Sequence, residues 1–337
     1  MRKMLLAVLA LPILFSCNNH QNLPDISGIK VSIPFERFEK VFFANDSNDI
    51  AGGLSSVSRE YPDFYPDFMQ QILGVSGRPD DANTQSVTLS FLRGYTWVYD
   101  TLSQMYRDIT PVKAELEKSF RYLKYYFPEY QTGKAITFIG PFDAPGVALT
   151  RSGLAIGLQQ YAGRNFSIYH STIGEQLFPT YISRRFEPQY ISTNCIRAVL
   201  NEMFPDHSSG KPLVEQIIEK GKQWYALDKV LPGIADSIKT GYTTKQLEWC
   251  AANEGEIWSF VLQNENLNSI EPVVIQTYIG ESPFTQGMPE VSPGNIGQWI
   301  GWQIVKKYAE SQSSLSLKAI MQTDARKILD EAKYKPK

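Results

Sequence analysis

Three histidines, three cysteines and one glutamate set inside an apolar stripe hold most of the side-chain chemistry that this 337-residue sequence offers. His20, His170 and His207 sit in separate polar or loop-like segments, and none belongs to an HExxH motif. In that motif two imidazoles one helical turn apart hold zinc, and the glutamate works on the bound water. A catalytic zinc site takes three protein ligands and keeps one position open, a set these histidines do not supply. There is no GxSxG nucleophile elbow and no phosphate-cradling P-loop. Arg151-Ser152-Gly153-Leu154-Ala155-Ile156-Gly157 has two glycines, but inside a strand pattern, so it is no dinucleotide fingerprint. Cys195 has no neighbouring base to activate it. No catalytic residue, metal ligand or cofactor is therefore expected. Glu254 stays as the informative polar residue, because Cys250, Ala251, Trp258 and Val261 share its helical face. A carboxylate there needs a donor or a proton, which leaves a structural hydrogen bond and a pocket acid as its two readings.

The elements that position these residues are mostly helical. The stretch from Tyr278 to Tyr308 begins as a Gly- and Pro-rich loop and continues as a helix. Ser292 is the expected N-cap and Pro293 the first helical residue. Ile296, Trp299, Ile300 and Ile304 follow at helical spacing. Gly297 and Gly301 lie four apart, and each costs about 1 kcal/mol against alanine, so a second backbone is expected to pack against that strip. The loop from Gly280 to Glu290, with Glu281, Phe284, Gln286, Met288 and Glu290, is the candidate partner-binding surface.

Upstream, Gly28–Pro34 alternates as a short strand, and Phe35–Phe43 places Phe35, Phe38 and Phe42 on one helical face. Residues 45–58 read as polar and loop-like, followed by an aromatic, proline-punctuated turn at 61–66. Val87–Tyr99 and Thr101–Phe127 read as helices, with Pro111 opening the second half of the latter run and Pro128 closing it. Lys134–Gly140 is a strand. Ala148–Thr150 and Leu154–Leu158 form a hairpin across Arg151-Ser152-Gly153. Helices are expected near Thr180–Phe186, from a Ser192 cap through Met203, over Val214–Leu227 with a break at Gly221, from Thr243 (a capping box with Gln246) through Leu262, and over Ser314–Ala332.

The formal charge of −2, from 33 basic and 35 acidic residues, gives no basic surface for nucleic acid. The first residues are a targeting segment: Arg2 and Lys3, then an apolar run from Met4 to Leu14 that is too short to span a bilayer. It ends in Leu14-Phe15-Ser16-Cys17, which resembles the lipobox of bacterial lipoproteins. That resemblance implies cleavage before Cys17 and acylation of it, and several acyl chains give stable anchoring where one does not. Residues 1–16 are thus the signal peptide, 17–27 a lipidated tether, and 28–337 a single globular domain. The polar tether Asn18–Asn22 lacks an acidic run, which favours the periplasmic face of the outer membrane. Cys195 and Cys250 are open to two readings, one disulfide or two buried thiols.

A longer series also carries a resemblance. Gly221-Lys222, Asp228-Lys229-Val230-Leu231-Pro232, Gly241-Tyr242-Thr243, Gln246-Leu247-Glu248-Trp249, Asn253-Glu254 and Ile257-Trp258 are followed by Ser292-Pro293-Gly294, Ile296-Gly297, Trp299–Val305 and Tyr308. With Tyr125–Pro128 and Ile156–Leu158, this series resembles the GldB family of gliding-motility lipoproteins. The resemblance implies a role in gliding tied to protein secretion across the outer membrane, and no catalytic residue. It also implies a distant likeness to zincin peptidases, whose HExxH helix would fall around Ser192–Met203, where this chain reads Asn194-Cys195-Ile196-Arg197-Ala198-Val199. The fold class expected is α+β, mainly helical with a small β-sheet, in the form of a degenerate zincin-like (metallopeptidase-like) fold without HExxH. The function expected is a non-catalytic, lipid-anchored protein that binds an envelope protein partner. A membrane-anchored peptidase, and a glycan or peptide binder using Tyr61, Tyr65 and Trp302, are the alternatives.

Overall fold

The computed structural model describes residues 23–264 and 267–336, so Cys17 and the targeting segment lie outside the described residues. Four short strands form one mixed sheet in the order β1-β2-β4-β3: β1 Phe35–Arg37, β2 Lys134–Phe138, β3 Val147–Thr150 and β4 Gly153–Gly157. β1, β2 and β4 run parallel, and β3 closes the hairpin antiparallel to β4, with Ala148 opposite Ala155. Helices cover both faces: α1 Phe38–Phe43, α2 Ile50–Glu60, α3 Phe64–Asp67, α4 Ala82–Met105 and α5 Thr110–Tyr126 precede β2. α6 Thr172–Leu177, α7 Thr180–Ser183, α8 Ile191–Met203, α9 Leu213–Val230 and α10 Asp236–Thr240 follow β4. The chain ends with α11 Thr244–Ala252, α12 Glu254–Asn264, α13 Pro272–Ile279, α14 Ile296–Ser311, α15 Leu317–Gln322 and α16 Ala325–Ala332. The fold is α+β and mainly helical.

Period-two alternation in the strands splits the interior in two. Ala135, Leu154 and Ile156 face a large core built by α5, α8, α9 and α14. Ile136, Phe138 and Ala155 face a smaller, aromatic one. There the Phe68 ring, on a wide turn at Phe68–Ile72, lies tilted against Phe38 and edge-on to Phe42, each with centroids 4.8 Å away. Tyr61 and Tyr65 are buried in this second core and Trp302 in the first, so none of the three offers a ring face for a glycan.

Several element boundaries differ from the expectation. Gly28–Pro34 buries Ile33, but the Ile33 amide donates to Glu117 Oε1 (3.0 Å) instead of a strand, and pairing begins only at Phe35. Residues 50–60 are helix and not loop, because Ile50, Leu54 and Val57 recur on one face beneath the polar residues, and Asp49 caps Gly52 (3.0 Å). α9 runs straight through Gly221. Ser192 lies inside α8 and its hydroxyl meets that of Ser119 (2.7 Å). The run from Thr243 divides at Asn253, whose side chain donates to Trp249 O (2.7 Å) and ends α11. The last helix divides where Asp324 caps Arg326 and Lys327.

The helix α14 starts at Ile296, not Pro293. Asn295 precedes it in the left-handed region (φ 48°). The Ser292 hydroxyl accepts the Thr285 amide (3.3 Å), so it pins the loop instead of capping the helix. Gly301 packs against the backbone of Ile217 and Gly221 on α9, the close approach that the glycine spacing predicted.

A candidate cleft and groove beside the Gly280–Glu290 loop

The loop after α13 is fixed from within. Thr285 is buried and its hydroxyl donates to Pro293 O (2.7 Å), while the Ser282 hydroxyl donates to Phe284 O (2.9 Å). Gly294 passes so close to Ser282 O that a Cβ would collide with it. Tyr242, buried on the far side, donates to Asn295 Oδ1 (2.8 Å). Burial pushes the Tyr242 phenol well above its ordinary pKa, so it remains a donor.

This frame sends the five candidate side chains in different directions. Glu281 turns to a polar cleft. Met288 packs against the main core. Phe284, Gln286 and Glu290 stay exposed. Phe284 and Gln286, with Val273 and Gln276 of α13, line an open groove of about 610 Å³. Val273 is 80 % exposed and Phe284 37 %, an apolar pair that the core leaves uncovered.

The cleft lies on the other side of Glu281, between α7, α8 and the end of α10. Arg185 makes a two-pronged ion pair with Glu281, each contact 3.2 Å. Its guanidinium lies on Gly241, which ends α10 in the left-handed conformation (φ 77°) and where a Cβ would come within 2.9 Å of Nη1. Arg197 of α8 donates to Asn194 Oδ1 (3.0 Å) and to Lys239 O (2.6 Å), and Asn194 in turn donates to Tyr161 (3.0 Å). Arg184 donates to Gly241 O (3.0 Å) and Gln246 Oε1 (3.2 Å). Burial and the nearby Arg185 hold the Arg184 and Arg197 pKa values below the usual range. None of the three arginines was singled out by sequence. The available signal was Asn194 three residues before Arg197, a spacing that puts both on one face of α8.

Glu254 opens α12 and accepts from the Tyr334 hydroxyl (2.6 Å), which is a structural bond to the C-terminal segment. Burial, with Glu254 beside it, drives the Tyr334 pKa far up. Cys195 and Cys250 are free and buried, and burial pushes the Cys250 thiol up to about 12, far from the thiolate a nucleophile needs. His170 lies at Arg164 O (2.9 Å). Among the described residues no three His, Cys, Asp or Glu side chains gather as metal ligands, and no helix is long and apolar enough to cross a membrane.

The sequence model of the family described as "Gliding motility protein GldB" matches residues 19–336. No curated protein and no solved structure matches the chain.

Proposed function

Because the chain belongs to the gliding motility protein GldB family of lipoproteins, we propose that it is held at the outer membrane by lipid on Cys17, faces the periplasm, and works there by contact with an envelope protein of the gliding and secretion apparatus, without catalysis. The contact surface is the Gly280–Glu290 loop together with the outer face of α13. The observation that carries this reading is the uncovered apolar pair Val273, on helix α13, and Phe284, on a loop pinned by Thr285, Ser292 and Pro293, the two lining one groove. A rigid rim loses little conformational entropy on binding, so apolar area placed on it is converted efficiently into affinity. Lipid anchoring adds to this by confining the domain to the surface where its partner sits, which raises effective concentration.

The test is crosslinking in intact cells from a photoreactive residue at Gln286, in the parent chain and with Val273→Asp or Phe284→Asp. Both side chains are exposed, so folding is expected to survive. One reproducible adduct that both substitutions abolish, with gliding or secretion impaired, supports the reading. An adduct that neither substitution affects removes the loop from the contact surface.

A further inference from the structure

We infer that the cleft floored by Arg197 and Arg185 is a binding site for a small ligand with an oxyanion head, a carboxylate or a phosphate, and an apolar body. The inference goes beyond the loop contact and shares Glu281 with it, since that residue borders both the groove and the cleft. Two guanidinium groups repel each other here: Arg185 acts on Arg197 strongly enough to lower its pKa, after burial itself. The carboxylates at hand are Glu281, 48 % exposed and engaged with Arg185, and, in the second chamber, Asp206, engaged with Lys220 (2.8 Å). Arg197 spends its donors on a carbonyl and an amide oxygen, both neutral. A guanidinium at a cavity wall whose hydrogen bonds go only to neutral oxygens, with Glu281 acting on it from beyond hydrogen-bond contact, keeps room for an anion, and oxyanions are the ligands its planar fork fits best.

The space is present too. The cleft holds about 260 Å³, and a second chamber of about 190 Å³ lies beside it, with Arg185, Arg197 and Glu281 bordering both. Ile182 and Ile238, both half-buried, border the first chamber beside Phe186 and Tyr190 and give a ligand's apolar body a wall to lie against. The Glu281–Arg185 pair has the geometry of the interaction that the ligand would make: a carboxylate meeting a guanidinium in two parallel contacts. Glu281 is thus an internal competitor, and its departure would free Arg185 to join Arg197 around the incoming anion.

Isothermal titration of the mature, detergent-solubilised chain tests this with three probes: inorganic phosphate, benzoate and phenyl phosphate. Chloride at equal ionic strength is the control. Saturable binding of phenyl phosphate or benzoate is expected. It should weaken tenfold or more in Arg197→Gln and in the more exposed Arg185→Gln, and tighten severalfold in Glu281→Gln. Comparing benzoate with phenyl phosphate tells a carboxylate head from a phosphate head, and inorganic phosphate reports what the apolar body adds. Absence of saturable binding for every probe, in both the parent and Glu281→Gln, overturns the inference. So does binding that persists unchanged in a folded Arg185→Gln variant.

Discussion

Gly221 and Gly301 meet backbone to backbone where α9 crosses α14: a Cβ on Gly301 would lie 3.2 Å from the Gly221 Cα and overlap the carbonyl of Ile217. Among the described residues this is the most extensive contact between two helices, and it sets how α14 presents the loop before it. Alanine at either position is therefore expected to cost about 1–3 kcal/mol through overpacking, outweighing the gain in helix propensity. Gly94, in α4, is the control. Nothing lies within 4 Å of its Cβ position, so Gly94→Ala should add about 0.4–1 kcal/mol. Urea unfolding of the three variants measures both signs in one experiment.

Lys239 gives the fold a pH dependence at the alkaline end. Burial opposes its charge, yet Asp228 (2.5 Å) and Asp236 (2.7 Å) overrule that and raise its pKa above 10.5. A raised lysine pKa means that the stabilisation is complete below the unfolded value and lost as pH climbs through the folded one. Denaturation midpoints should be flat in this respect up to about pH 10 and fall above it. Lys239→Met should lose about 1.5–3 kcal/mol at neutral pH and show a smaller alkaline decline. An equally steep decline in the variant would assign the effect to other groups.

The Tyr334–Glu254 bond ties the C-terminal segment to the start of α12. Glu254→Leu leaves the half-buried Tyr334 hydroxyl without this acceptor and should cost about 1 kcal/mol or more. Glu254→Gln keeps an acceptor and should cost less than about 1 kcal/mol. Equal losses would mean that the hydrogen bond contributes nothing beyond packing.

Replacing Cys17 by serine removes the thiol that the lipobox-like sequence presents. Made in a chain whose apolar run Met4–Leu14 has been removed with the rest of residues 1–16, the substitution should move the protein from the detergent phase to the aqueous phase in a Triton X-114 partition. Retention of the serine variant with the membranes would point to a protein contact as the anchor.

Reading the residues in order located most helices correctly, and for a physical reason. Cys195, Ile196, Val199 and Leu200, or Ile296, Ile300 and Ile304, recur with the helical period and are all buried. Where the reading failed, one hydrogen bond had gone to a partner that the local pattern did not name. Ser292 left the helix start for Thr285, Asn253 closed α11 on Trp249 O, and the Ile33 amide went to Glu117. At Ser292 and Ile33 local propensity was weaker than a bond to another segment, and at Asn253 the side chain competed for its own helix's carbonyl. The candidate loop was legible because glycine, proline and short polar residues cluster there; which of its side chains point outward was not.

By itself the sequence determined the helical period, the hairpin at Arg151–Gly153, the close approach at Gly301, the lipobox-like Cys17 and the family, because each of these is written in local spacing or in a long ordered motif series. The tertiary structure alone decided that Met288 turns inward, that Tyr61, Tyr65 and Trp302 are core residues, and that Arg185, Arg197 and Glu281 share one cleft. Those three charges are separated by eleven or more residues and lie on α8 and two loops, and only the packing of α7, α8 and α10 against the pinned loop brings them within reach of one another.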